Sequence, residues 1–397
     1  MTARIDRRDL ETWADYLLGH SLGKIGPEDV VMIKGEHITW PLMSILQDKI
    51  FSAGGIADIC LVAPDNNRGM AWGSSIARRG TVEQIKRVPE WHRHRYEAMT
   101  KYIEILGAEE PTLFANLPEE TSAALVKADE PYKNIRLLKP WVLTLFPTRG
   151  FADIENLSLE EYTDIVVSAS TTDPRLLEEV EEPIYRLMQN SRLISIRSRH
   201  PKTGKDLILS MNIEDRSAVK CTGIRNFPDG EVFTSPDART VEGEIFVDLP
   251  VYYNGVTLQG IYLKIDKGII TDYKAEQEHD TLKKIIETDD GSHRIGEVAL
   301  GMNSGLKKAL KHPLFVEKVG GTLHIAIGAS YPECFVEEQA SKEGQQQAEE
   351  YFRQGSLNRS SQHVDIVVDF RPGGAGREVY LDDTKLAIKD NIWVVPE

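Results

Sequence analysis

The texture of the chain changes near residue 190, and that change limits the possible folds more than any single motif. Before it, short apolar runs alternate with stretches of helical periodicity. VVMI (30–33), IADICLVA (56–63), PTLFANL (111–117) and WVLTLF (141–146) read as strands. WPLMSILQDKIFSAGG reads as an amphipathic helix that ends in a glycine pair suited to a C-cap. SLEEYTDIVVSAS places Ser158 three residues before Glu161, the spacing of a capping box. PRLLEEVEEPIYRLMQN reads as a helix that Pro183 should kink or divide. Such alternation predicts a mostly parallel sheet covered by helices.

Beyond residue 190, SRLISIRSR, DLILSMN, GEIFVDLP and VTLQGIYLKIDKGIITDYK are strand runs joined by Gly, Asn and Asp turns, and helical pieces such as HDTLKKIIE (279–287) are fewer. At 397 residues the chain exceeds one ordinary core. The expected organisation is an α/β N-terminal domain with a mostly parallel sheet over 1–190 and a β-rich α+β domain over 191–397. The polar segment 339–361 reads as a surface loop or short helix, and its place between two site-like stretches would suit a lid. RPGGAGRE (371–378) lacks the P-loop pattern and, lying between two strand runs, predicts a hairpin turn.

A formal net charge of −15 excludes the basic stripe on which nucleic-acid affinity depends, and it repels anionic membranes. Three scattered cysteines, Cys60, Cys221 and Cys334, have neither metal-ligand nor redox spacing and fit a reducing compartment. MTARIDRRDLETWADYLL has no apolar stretch of signal-peptide length, and no segment approaches the ~18 apolar residues of a membrane span. A cytoplasmic location, with no nucleic-acid or membrane partner, is the expectation.

The chemistry gathers in the second half. In HVDIVVD (363–369) an extended backbone puts His363, Asp365, Val367 and Asp369 on one face and Val364, Ile366 and Val368 on the other. An imidazole and a carboxylate thus share a face of a strand that otherwise looks half buried. DGEVFTSP (229–236), RIGEVALG (294–301) and LHIAIGASYP (323–332) also bear metal-binding residue types at strand ends or turns. Glu297 lies in small, apolar surroundings, where an unpartnered carboxylate costs several kcal/mol, so a compensating cation is expected. Imidazole and carboxylate without thiolate suit zinc, cobalt or manganese, and the dispersed spacing excludes a HExxH helix.

Taken together, DGEVFTSP, GEVALG, HIAIGASYP and HVD resemble the thermophilic metalloaminopeptidase family, the group that contains aminopeptidases T and S. The resemblance is close over about residues 227–390 and looser in the N-terminal half, through KPWVLTLFPTRGF (139–151). It implies a metal set of Glu231, Glu297, His324, Tyr331, His363 and Asp365, holding two divalent ions per chain (zinc, cobalt, manganese or magnesium) with Glu297 as the bridging carboxylate. It further implies release of N-terminal residues from peptides with a free N-terminus by attack of a dimetal-bound hydroxide, in a homodimer. Glu231 or Glu317 would carry the proton to the leaving amine, although Glu317 stands seven residues before His324 where the family has a shorter spacing. Asp229 and Asp369 are candidates for holding the substrate ammonium. Two other readings stand beside this one. His324, His363 and Asp365 alone form the two-His, one-carboxylate set of a non-haem Fe(II) ring-cleaving dioxygenase, and YLDDTKL (380–386) looks like a stretch of one such enzyme. A non-catalytic binding protein on the same scaffold is the other.

Overall fold

The computed structural model describes residues 4–62, 79–111, 117–253, 255–339, 341–371 and 377–396. The chain forms two compact units, Met1–Pro174 with Gly223–Pro228, and Arg175–Thr222 with Asp229–Glu397.

The first unit is built on a five-stranded, all-parallel sheet. Its order is Ile56–Val62, Val30–Glu36, Lys101–Leu106, Trp141–Leu145 and Asn226–Phe227. The expected strand 111–117 falls largely outside the described residues. The strand Lys101–Leu106, central in the sheet, was not legible because Lys101 and Glu104 interrupt its apolar pattern. Glu104 is tolerated there because Lys34 of the neighbouring strand lies 2.9 Å away. The capping box at Ser158 is present: its Oγ accepts from the Glu161 amide, and the Glu161 carboxylate accepts from the Ser158 amide.

Among the described residues, the second unit contains two two-stranded sheets and two large antiparallel ones. The larger runs Ile269–Lys274, Ile261–Asp266, Glu242–Val247, Asp206–Asn212, Leu193–Arg199, Glu378–Leu381 and Thr384–Lys385. The smaller runs His363–Asp369, Thr322–Gly328, Ile295–Gly301, Glu231–Thr234 and Val219–Cys221. Their apolar faces share one core: Ile194, Leu209 and Ile245 come from one sheet, and Val298, Ile325 and Ile366 from the other. Burying each such side chain stabilises by about 1.5–3 kcal/mol.

Three expectations need correction. Pro183 does not divide its helix: Arg175–Asn190 runs as one element with the proline inside it. Its buried apolar residues Leu177, Ile184 and Met188 offset the ~3 kcal/mol cost of an interior proline. Since Ile184 and Met188 pack in the core of the second unit, this helix belongs there and the units divide at Pro174, not near residue 190. Nor do the strands flanking 371–378 form a hairpin: His363–Asp369 pairs with Thr322–Gly328, whereas Glu378–Leu381 pairs with Leu193–Arg199 in the other sheet. Residues 372–376 themselves lie outside the described residues. Within 339–361 the chain forms a helix, Lys342–Gln354, capped by Ser341 and by Gly355 at φ 75°. Tyr351 and Phe352 fasten it to a cluster with Phe335 and Leu357, so it is a packed surface element. Among the described residues no helix is long and apolar enough to cross a membrane.

Candidate metal centre

The smaller sheet explains why dispersed residues meet. Directly opposed residues of antiparallel strands share a face. Gly301 opposes Glu231, Ala299 opposes His324, Ala326 opposes both Glu297 and Asp365, and Gly328 opposes His363. Glu231, Glu297, His324, His363 and Asp365 therefore lie on one face of four adjacent strands, separated by small residues that leave room between them. The intervening residues, such as Val298, Leu300, Ile325 and Val364, point into the core.

One irregularity is essential to this arrangement. Ile295 pairs with Ile327, yet Glu297 pairs with Ala326, so the register slips by one at Gly296. Without that bulge Ile295 and Glu297 would share a face. With it, Ile295 stays in the core while Glu297 faces the site. A Cβ at Gly296 would collide with the carbonyls of Gly328 and Ala329, so only glycine fits.

The donor atoms converge. Nε2 of His363 lies 3.0 Å from Oε2 of Glu297 and 3.4 Å from Oδ1 of Asp365. Nε2 of His324 lies 3.7 Å from Oε1 of Glu297 and 3.6 Å from Oε2 of Glu231. Separations of 3.6–3.7 Å are too long for hydrogen bonds. They match the edge of a coordination shell, since ligands about 2.1 Å from one tetrahedral ion stand roughly 3.4 Å apart. Glu231 Oε2 and Asp365 Oδ1 are buried without hydrogen-bond partners, although each faces an imidazole. On the far side of His363, Nδ1 sits 2.9 Å from the Ala329 carbonyl, which fixes Nδ1 as a protonated nitrogen and, in the neutral ring, leaves the Nε2 lone pair on the side of Glu297 and Asp365 free to bind a metal.

Beside these donors lies Lys318, 1% exposed. Its ammonium contacts Oε1 of Glu231, Oε1 of Glu317 at 3.0 Å and Oδ1 of Asp229 at 3.4 Å. Asn303 fixes this half of the site. Its amide nitrogen donates to the Lys318 carbonyl at 2.9 Å, and its side-chain Nδ2 donates to the Asp229 carbonyl at 2.6 Å. Gly230, at φ 132°, gives the close approach, because a Cβ there would stand 2.8 Å from that of Asn303. Cys221 opposes Glu231 across the strand pair, and Glu181 comes from the helix Arg175–Asn190, fully buried with neither carboxyl oxygen hydrogen-bonded.

Five carboxyl groups, Asp229, Glu231, Glu297, Glu317 and Asp365, thus surround one ammonium and two imidazoles, and their protonation reflects the excess. Burial, with Asp365 and Glu231 adding to it, pushes Glu317 well above the usual carboxylate range despite Lys318. Burial also raises Asp229, to about 7, although Lys318 opposes the shift. Burial disfavours charge on His324, yet Glu297 and Glu231 outweigh it and raise the imidazole to about 9. Burial and then Asp229 and Glu231 push Glu181 to about 10. A divalent cation suits such a donor set: two imidazole nitrogens and several carboxylate oxygens, two of them buried without partners.

The six residues expected as ligands do not all occupy equivalent places. Glu297, His324, His363 and Asp365 form one group, in which Glu297, His324 and Asp365 bring ligand atoms within 4.8 Å of one another. Glu231 joins it through one oxygen. Tyr331 packs its ring edge-on to His363 at 4.9 Å and is 37% exposed. Burial and the carboxylates of Glu297 and Asp365 keep its phenol well above its ordinary value. Glu317 lies between Lys318 and Asp365 and hydrogen-bonds Asp365. Asp229 is held by Lys318, and Asp369 accepts two hydrogen bonds from the Arg371 guanidinium at 2.9 and 2.6 Å. Sequence reasoning did not find Lys318 or Glu181. Glu181 did leave a signal, a carboxylate inside the apolar stripe Leu177–Ile184–Met188. Lys318 left none, since a Glu-Lys pair before a Gly turn reads as solvated charge.

Comparison with known proteins follows the same lines. The chain is 35% identical over 158 residues to aminopeptidase 2 of Geobacillus stearothermophilus, a match covering 38% of this chain and 37% of that protein. It is 35% identical over 147 residues to aminopeptidase T of Thermus aquaticus, covering 36% of this chain and 34% of the relative. The chain thus spans only about a third of the length of these curated relatives. The fold is shared over nearly full length with wild-type AmpT from Thermus thermophilus, with a TM-score of 0.76 at 21% identity over 98% of this chain and 100% of that one. A 2,5-dihydroxypyridine dioxygenase from Pseudomonas putida KT2440 is a weaker neighbour, with a TM-score of 0.58 at 14% identity over 99% of both chains. The model of the thermophilic metalloprotease (M29) family matches residues 6–372, and the chain belongs to that family.

Proposed function

We propose that this chain is a metal-dependent aminopeptidase acting on peptides with a free N-terminus. One observation carries the reading: three adjacent strands present Glu297, His324, His363 and Asp365 on one sheet face, with neighbouring ligand atoms 3.0–3.7 Å apart. These four side chains would hold zinc, cobalt or manganese. When bound, such an ion supplies a Lewis acid that polarises the scissile carbonyl and lowers the pKa of a water.

The remaining work falls to the protein. The Ala329 carbonyl keeps His363 in the tautomer that a metal ligand needs. Glu317 and Asp365, two carboxyls in hydrogen-bond contact, hold a proton between them, because adjacent like charges cannot both ionise cheaply. Glu317 is therefore the group that passes a proton to the leaving amine. Glu231 suits that task less well, with one oxygen committed to Lys318 and the other turned to His324. Surplus carboxylate charge draws the substrate ammonium to the site. A cavity of about 110 Å³ beside His363 and Asp365, walled by Val251, Tyr252, Pro313 and Val316, has room for one side chain of moderate size.

The test is a panel of aminoacyl-anilides assayed with the chelator-stripped protein after addition of divalent metal. Hydrolysis of the free-amine substrates, and none of their N-acetylated forms, is expected. Equal cleavage of both would end the aminopeptidase reading. The dioxygenase alternative predicts iron in the isolated protein and oxygen consumption with a dihydroxypyridine. Glu231 and Glu297, superfluous to a two-His, one-carboxylate iron site, argue against it.

A further inference from the structure

We infer that Lys318 is a built-in cation that already neutralises Asp229, Glu231 and Glu317, so that this chain binds one divalent ion per site where the family resemblance implies two. The inference rests on the metal-dependent reading above. Its basis is the division of the donors into two halves.

On one side, Glu297 turns Oε1 to His324 and Oε2 to His363, and Asp365 stands beside His363; Glu297, His324 and Asp365 bring ligand atoms close enough together to share one ion. On the other, Asp229, Glu231 and Glu317 turn their oxygens to the Lys318 ammonium. Glu231 belongs to both: Oε2 faces His324, and Oε1 contacts Lys318. Oε1 of Glu231 is thus already matched by an ammonium.

Lys318 is not a surface chain that has drifted inward. Its side chain is 2% exposed, and its backbone is tied on both sides. The Lys318 amide donates to the Phe315 carbonyl at 3.1 Å, and its carbonyl accepts from Asn303 at 2.9 Å. All three of its carboxylate partners are themselves buried. Burying an ammonium is costly unless carboxylates surround it, and these are the carboxylates that do so. A second divalent ion on Glu231 Oε1 would lie within a few ångströms of that ammonium, with strong repulsion in a medium of low dielectric. Tyr331, another of the expected ligands, packs against His363 and Phe233 and does not approach Lys318 in any contact the structure shows.

The test is a count of ions. The full-length protein is stripped with chelator, loaded with excess zinc or cobalt, passed through gel filtration and analysed by mass spectrometry for metal per chain. One ion per chain is expected, with the electron paramagnetic resonance of the cobalt form showing isolated, uncoupled Co²⁺. Two ions per chain, or a spin-coupled cobalt pair, would overturn the inference, as would no bound ion. Lys318→Met removes the ammonium and keeps the apolar stem; where it folds, as judged by circular dichroism, it is expected to take up a second ion. A folded Lys318→Met that still holds one would show that ammonium and ion do not compete. Should the variant fail to fold, the wild-type count and an anomalous-scattering map of the zinc form decide alone. Because metal is counted without substrate, failure here is distinct from failure of the anilide assay.

Discussion

Lys34, in the parallel sheet of the first unit, and Lys318, beside the antiparallel sheet of the second, are both buried lysines held by glutamates. Their surroundings differ in the sum of charge. Lys34 donates to Glu104 at 2.9 Å, and the other oxygen of Glu104 accepts from Tyr102 at 3.0 Å and from Arg136 at 3.2 Å. Two cations thus meet Glu104 and the nearby Asp129, and both oxygens of Glu104 are satisfied. Around Lys318 a single ammonium serves three carboxylates, two more stand beyond them, and oxygens of Glu231 and Asp365 lack hydrogen-bond partners. The first cluster is complete within the protein, whereas the second becomes complete only with a cation from outside. A buried lysine therefore says little by itself. The charge balance of its neighbours separates a structural ion pair from a binding site.

The contrast can be broken most directly at its two glutamates. Glu297→Gln keeps the shape of the side chain and removes the charge facing both imidazoles. It should abolish stable metal loading and lower kcat/KM on aminoacyl-anilides by about 10³-fold or more, equivalent to roughly 4 kcal/mol of transition-state stabilisation, while the melting temperature of the metal-free protein changes little. Glu104→Gln should do the converse. Stability, measured by denaturant unfolding, should fall by about 3 kcal/mol because Lys34 loses its counter-charge in the interior, with metal content and kcat/KM of the folded fraction unchanged. A loss of metal in Glu104→Gln, or a large loss of metal-free stability in Glu297→Gln, would erase the distinction between the two clusters.

The same contrast shows why sequence reading went as far as it did. The alternation in HVDIVVD was legible because a strand exposes its faces with period 2, and the structure places Val364, Ile366 and Val368 in the core and His363 and Asp365 toward the other donors. The break between helical and strand textures was also legible, although the helix Arg175–Asn190 changed sides, since local pattern does not say which core a helix will cover. What stayed hidden depends on contacts distant in sequence. No local signal marks the bulge at Gly296, which exists because the Gly328 and Ala329 carbonyls approach from another strand. Lys318 and Glu104 read as ordinary surface charges because their partners lie 87 and 70 residues away.

Glu181 sharpens the comparison from within the second unit, as a carboxyl with neither a cation nor a hydrogen bond of its own. Burial and the charges of Asp229 and Glu231 push it up to about 10 from its ordinary value of 4.5. A carboxyl raised in this way is neutral in the folded protein but ionised in the unfolded chain at neutral pH, so folding takes up a proton. The resulting penalty is absent below about pH 4.5 and grows as the pH rises toward 10. Glu181→Leu should therefore stabilise the protein by about 2–3 kcal/mol at pH 7 and by much less at pH 4.5. Urea unfolding at the two pH values is the measurement. A destabilised variant would mean that the Glu181 carboxyl supports the Lys318 cluster.

Asp289 supplies the opposite limit, a carboxylate of the second unit that the protein satisfies completely. It accepts from the Ser292 amide at 2.8 Å and, at 2.7 Å each, from Ser360 Oγ, Ser361 Oγ and the Ser361 amide. These bonds fasten the short 3₁₀ helix Asp290–His293 to the turn that leads into His363. Burial is the largest single influence and raises the carboxyl, but these bonds together outweigh it and draw it down to about 2 from 3.8. Because the folded value is the lower one, the stabilisation is complete above about pH 4 and disappears as the pH falls through about 2. Asp289→Asn should cost about 1–2 kcal/mol at pH 7 after allowance for partial exposure, with the gap from wild type narrowing steadily between pH 4 and pH 2. A gap that did not change with pH would mean that the loop is held by the shape of the side chain and not by its charge. Asp289 would then cease to be the structural counterpart of the site carboxylates.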